Sequence, residues 1–211
     1  MAERQRKATP ALVGATAAAA AGFAALATAN AQRRTWRGDL RARARTPGRK
    51  SRTARKVAAA TAPTGKWAVY GPVALAASAY VWKERGGNRG RGRRGAAAMM
   101  ASVALSVLLA EVLDRIPPNP PAPPGRRNPM KRVFPSGHTL RTTAISLTTG
   151  YVLARERLAR PRAAALALAL PVVSGVGRMA EDKHWASDVL GGLLAGTVVA
   201  GVCLAGYELG E

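Results

Sequence analysis

The sequence predicts an all-α fold, a polytopic membrane bundle of about six transmembrane helices. Three observations carry this expectation. Apolar runs of about 20 residues, the length that spans a hydrocarbon core, recur along the chain. Short segments dominated by arginine and lysine separate them. Trp67, Tyr70, Tyr80 and Trp82 sit near the ends of one run, as rings at a membrane–water boundary do.

Taken in order, a basic head (Arg4, Arg6, Lys7) precedes an Ala-rich run over residues 9–31. A basic head, an apolar run and Ala27-Thr28-Ala29 also fit a signal peptide. The length of the run favours a weak first transmembrane helix. Residues 32–56 are crowded with basic side chains and broken at Thr46-Pro47-Gly48, so they are expected to be a solvated linker. Such a segment is attracted to anionic lipid headgroups by about 1 kcal/mol per basic residue. The second apolar stretch, 57–82, is interrupted by Pro63, Gly65 and Lys66, and its better half runs from Trp67 to Trp82. Residues 83–94, basic and Gly-rich, are expected to form a loop before a third stretch over 96–116. The Pro-rich segment 117–125 cannot continue a helix. The fourth, fifth and sixth stretches cover 138–154, 163–179 and 188–207, with Gly192 and Gly196 at the spacing that permits close helix packing in lipid.

The formal net charge of +22 raises the question of nucleic acid. The arginines fall between apolar runs rather than along one face, and aromatic residues make up only 5%, too few for base stacking. No nucleic-acid partner is expected. With Cys203 as the single cysteine, an intrachain disulfide and a multi-cysteine zinc site are both excluded.

Two polar clusters interrupt the apolar pattern, and the chain's two histidines fall one in each. Pro135-Ser136-Gly137-His138 stands where a loop turns into a helix. Ser136 is a natural N-cap, Gly137 leaves room beside the backbone, and the free N–H groups there favour an anion. His138 in the first turn suits a general acid. In the second cluster Arg178 precedes His184 by six residues and Asp188 follows it by four. One helical turn apart, Asp188 can fix the His184 tautomer and leave the other ring nitrogen to attack. Arg178 offers a planar fork to phosphate oxygens. Ser187 is expected to cap the helix that Asp188 opens. His138, His184 and Asp188 also compose a three-ligand zinc set. The arginine and the Ser-Gly helix start oppose that reading, so no metal and no cofactor is expected.

Pro135-Ser136-Gly137-His138, with Arg178-x5-His184-x3-Asp188 extended through Trp185-Ala186-Ser187 to Gly191-Gly192, resembles the second and third motifs of the type 2 phosphatidic acid phosphatase superfamily, which includes the vanadium haloperoxidases. The resemblance implies an all-helical core and a membrane branch with six spans. It implies a metal-independent hydrolase acting on a lipid phosphate or diphosphate, of the phosphatidate or the polyprenyl phosphate type. His184 is then the nucleophile that becomes a phosphohistidine, and Asp188 orients it. His138 protonates the leaving group and later activates water, while Arg178, Ser136 and Gly137 hold phosphate oxygens. Residues 57–211 are accordingly the phosphatase-like domain and residues 1–56 a basic N-terminal region, in a multi-pass protein of the cell membrane.

Two departures stand out. The third motif usually opens Ser-Arg and here reads Gly177-Arg178. The first motif, Lys-x6-Arg-Pro, is absent between residues 100 and 135. Arg126, Arg127, Lys131 and Arg132 are basic residues available there, and Arg141, three after His138 on one helix face, is expected to share the clamp. The alternative reading is a non-catalytic membrane protein of the same fold that binds anionic lipid.

Overall fold

The structure is a computed structural model that describes residues 2–46, 51–86, 89–116, 121–124 and 133–209. Among them run eight α-helices: α1 (Ala2–Ala31), α2 (Trp36–Arg45), α3 (Arg52–Thr61), α4 (Trp67–Glu84), α5 (Arg89–Leu113), α6 (Gly137–Arg155), α7 (Pro161–Ala180) and α8 (Ala186–Leu209). A 3-10 turn, Ala62–Gly65, joins α3 to α4. Six of the helices are 18 to 30 residues long, and they alternate in direction along the chain. Thr9–Ala31, Gly90–Leu113 and Ala186–Leu209 are long and apolar enough to cross a membrane by length and composition. Large apolar side chains such as Leu75, Leu108, Leu166 and Val202 point out of the bundle. Water would penalise that arrangement and lipid does not.

Small residues decide how closely the helices approach. A Cβ on Gly192 would stand 2.7 Å from the Ser136 carbonyl oxygen, and one on Gly196 would stand 2.5 Å from Thr143 Cβ. The α6 and α8 backbones therefore meet almost in contact, as the small-xxx-small spacing predicts. On the other face of α8 lies α1, with Gly22 against Leu194 and Thr16 against Gly201. A core of Val81, Met99, Val152, Leu204 and Tyr207 fills the half of the bundle remote from residues 135–138. Pro10, Pro72 and Pro171 lie inside helices, which a packed membrane bundle tolerates because neighbours satisfy the freed carbonyls.

Two segments differ from expectation. The basic stretch read as a linker holds α2 and α3, both at the end of the bundle where α6 and α8 begin. α2 is held because its buried Asp39 accepts two hydrogen bonds from Ser187 on α8. Of the Gly-rich stretch 83–94, read as loop, residues 89–94 are the first part of α5. Glycine weakens a helix by about 1 kcal/mol per residue. Here Arg91 pairs with Glu156 at 2.8 Å, and Gly95 lets Val152 and Val81 come close, so tertiary contacts outweigh propensity.

Candidate functional site

The starts of α6 and α8 come together with the end of α7 and the 3-10 turn. α6 begins at Gly137 because Ser136 is extended (φ −65°, ψ 101°) and its Oγ accepts the Thr139 N–H at 3.4 Å. The Thr139 hydroxyl donates to the same oxygen at 3.0 Å. Ser136 is fully buried, and its own N–H donates to the Asp188 carbonyl at 2.9 Å. That bond ties the two clusters together across 52 positions of sequence.

α8 opens at Ala186, two residues before Asp188. Asp188 Oδ2 accepts the Trp185 N–H at 2.7 Å, the reach-back half of a capping box. Ser187 is not the cap. Its N–H and hydroxyl donate to Asp39 Oδ1 and Oδ2, each at 2.8 Å. The Asp39 carboxylate thus sits on the positive end of the α8 dipole.

His184 Nδ1 is 3.0 Å from the Val133 carbonyl oxygen. A carbonyl only accepts, so Nδ1 carries the hydrogen and the neutral ring keeps its lone pair on Nε2. Asp188 Oδ2 lies 3.5 Å from the same Nδ1. Orientation is therefore divided: Val133 takes the hydrogen bond and Asp188 adds charge beside it. The sequence reading gave both tasks to Asp188, whose Oδ2 is drawn toward the Trp185 N–H instead.

His138 is buried in the first turn of α6, and its Nε2 accepts the Gly65 N–H at 3.1 Å. The neutral ring accordingly carries its hydrogen on Nδ1. Gly65 packs on the ring so closely that a Cβ would overlap it. The charges of Arg178, Arg141 and Lys183 all bear on this imidazole, as does His184 when protonated.

Arg178 ends α7 and donates through Nη1 to Glu181 Oε2 at 3.1 Å, an oxygen that Lys183 also reaches at 2.9 Å. Arg141 folds back along α6, with both terminal nitrogens 3.8 Å from the point a Gly137 Cβ would occupy. Among the described residues its buried Nε has no hydrogen-bond partner. His138, His184, Asp188, Arg178, Ser136, Gly137 and Arg141 are thus brought into one region. Arg126, Arg127, Lys131 and Arg132 lie outside the described residues.

Gly177, where the resembling motif carries serine, has a local reason. A Cβ there would stand 3.1 Å from Ala58 Cα and from Thr61 Oγ1, so the glycine admits α3. Sequence reasoning missed Gly65 and Val133, which act through backbone atoms and leave no side-chain signal. Asp39 did leave one: it is the lone carboxylate among the basic residues of 32–56.

Chemically, the arrangement offers an imidazole lone pair, a second imidazole, guanidinium groups and the start of a helix. That set suits an oxyanion attacked by a nitrogen nucleophile. Among the described residues, no group of three or more His, Cys, Asp and Glu side chains is arranged to hold a metal ion. A cavity of about 310 Å³, lined by Leu12, Leu147, Tyr151 and Leu204, is apolar and touches none of the site residues.

Residues 94–209, more than half of the chain, match the model of the PAP2 superfamily. The fold is similar to that of a transmembrane PAP2-type phosphatidylglycerolphosphate phosphatase from Bacillus subtilis. The TM-score is 0.67 at 18% identity, over 90% of this chain and 94% of that one. No curated protein matches the chain.

Proposed function

The chain belongs to the PAP2 superfamily, and from that premise we propose that it is a cell-membrane phosphatase acting on a lipid phosphate or diphosphate through a phosphohistidine. The observation that carries the reading is the tautomer of His184. Its Nδ1–H donates to Val133, so the neutral ring carries its lone pair on Nε2, the nitrogen that would attack phosphorus.

Nε2 attacks the phosphorus, and the bond from phosphorus to the leaving oxygen breaks. His138 supplies the proton that oxygen needs. A water then attacks the phosphohistidine and gives its proton to His138; the P–N bond breaks and phosphate departs. Arg178, Arg141 and the α6 start stabilise the equatorial oxygens more in the transition state than in the ground state, which is what lowers a barrier. No step calls for a metal.

His138 has a condition attached. A doubly protonated imidazole donates from both nitrogens, so the acid form requires the Gly65 N–H to turn away from Nε2. Substrate entry beneath the 3-10 turn would do this. The substrate is a headgroup phosphomonoester or diphosphate presented at the bundle end, with its tail outside among the helices. Both phosphatidate-type and polyprenyl phosphate-type lipids have that form.

The test is phosphate release from purified protein across phosphatidate, phosphatidylglycerolphosphate and polyprenyl phosphates, with His184→Ala as control and EDTA in a parallel series. Release that His184→Ala abolishes and EDTA leaves unchanged is expected. Absence of release from every substrate by folded protein favours the second reading, a non-catalytic binder of anionic lipid. The Gly65 contact that occupies His138 Nε2 is the observation on its side.

A further inference from the structure

A pocket with polar lining lies against Trp185, the residue after His184. Its volume is about 170 Å³, and its walls are Asn30, Arg33, Trp36, Asp39, Pro121 and Trp185. That is room for roughly five or six waters' worth of ligand at about 30 Å³ each. None of the proposed catalytic side chains lines it.

Its lining carries two donor groups, the Asn30 amide and the Arg33 guanidinium, beside the Thr35 hydroxyl and the Asp39 carboxylate. Asn30 is 5% exposed; its Oδ1 accepts the Thr35 hydroxyl at 3.0 Å, while its buried Nδ2 has no hydrogen-bond partner among the described residues. A buried amide donor left unmade is rare and calls for a ligand acceptor. Arg33 adds a guanidinium. It is held at φ 58°, the left-handed conformation that favours glycine, so the chain keeps an arginine at a position where the backbone alone would select otherwise. The one carboxylate, Asp39, has both oxygens engaged by Ser187. Trp36 and Trp185 meet edge to face at 5.2 Å and close the apolar side. The pocket stands where α1, a candidate span, ends and α8, another, begins, which is the depth of headgroups and interfacial tryptophans.

We propose that this pocket binds the phosphate of an anionic ligand at headgroup depth, with Asn30 Nδ2 and Arg33 on the phosphate oxygens and a short polyol against the tryptophans. Occupancy bears on the neighbouring centre. Trp185 donates its N–H to Asp188, and Asp39 holds the first turn of α8, so a ligand packed against both stiffens the turn that carries Asp188. Binding stands independently of the phosphatase reading; only the effect on rate rests on it.

The experiment uses full-length His184→Ala protein in nanodiscs, so that nothing is turned over. Bound lipid is counted by native mass spectrometry, with phosphatidylglycerol in a phosphatidylcholine background in one arm and soluble glycerol phosphate in the other. Asn30→Asp keeps the Thr35 bond and replaces the donor by an oxygen. Arg33→Gly removes the guanidinium and relieves the left-handed backbone, so its melting temperature should hold or rise. Both variants are expected to lose about tenfold or more in phosphatidylglycerol retention. Loss confined to the glycerol phosphate arm supports the site and assigns it to the soluble phosphate, and equal loss in both arms assigns it to the phosphate that the two probes share. Undiminished retention in both arms by Arg33→Gly and Asn30→Asp overturns the proposal. Binding that is intact while the active protein releases no phosphate would sink the catalytic reading and leave this one standing.

Discussion

The two ends of the bundle treat charge in opposite ways. At the end where α6 and α8 finish, two buried glutamates collect the cations. Glu156 pairs with Arg91 at 2.8 Å and Arg85 at 3.1 Å and accepts the Tyr207 hydroxyl. Glu208 pairs with Arg155 at 2.9 Å and accepts the Tyr151 hydroxyl at 2.7 Å. Each carboxylate faces a hydroxyl as well as guanidinium groups, the condition under which a buried ion pair is tolerated. At the end where α6 and α8 start, Asp39 and Asp188 face the start of α8, and one oxygen of Glu181 is shared by Arg178 and Lys183. Asp188 caps α8, Asp39 sits on its dipole and Asp182 holds Arg43 at 2.7 Å. Positive potential is left to converge on His138. One end is a lock, and the other holds potential for an anion.

That contrast can be broken at either end. The largest effect is expected at the site. His184→Asn should lower phosphate release by about 10³-fold or more, since the nucleophile is gone, with thermal unfolding in detergent unchanged. Residual turnover close to the parent's would remove the nucleophile assignment.

Glu156→Ala should do the reverse. Leaving Arg91 and Arg85 without their carboxylate costs about 3 kcal/mol of stability, read as a lower unfolding midpoint. The kcat of the molecules still folded should match the parent. A drop in kcat with stability intact would show that the lock is coupled to the site.

Gly65→Ala sharpens the comparison inside the site. The added methyl overlaps the His138 ring, and displacing that ring is expected to lower kcat about 10²-fold, or about 2.7 kcal/mol. KM should move less, because Arg178 and the α6 start are untouched. Parent kinetics in this variant would mean that the 3-10 turn stands clear of His138 during turnover.

The smallest effect is reserved for Arg141→Lys, about tenfold in kcat/KM, since lysine keeps the charge and loses the planar fork. An arginine that merely reaches for the interface would tolerate lysine with no change. Progress curves for Arg141→Lys and Arg141→Ala, taken together, separate the two.

The sequence by itself determined the helices and the two clusters. Apolar runs of spanning length, Pro and Gly breaks, and the Ser136 cap fixed α4, α6, α7 and α8 to within two residues, because those signals are local. The clusters that hold His138, Arg178, His184 and Asp188 were legible for the same reason: they are polar side chains at short spacing within apolar sequence. Tertiary structure decided what depends on distant backbone and on compensation. Gly65 and Val133 contribute an N–H and a carbonyl, groups every residue owns, so no letter in the sequence marks them. α2 is held where Asp39 takes the Ser187 donors and Arg43 meets Asp182, and the first turns of α5 where Arg91 meets Glu156; a charge run without its partner reads as a solvated linker. Burial supplies the missing term: it raises the cost of leaving those charges unpaired until the chain folds around them.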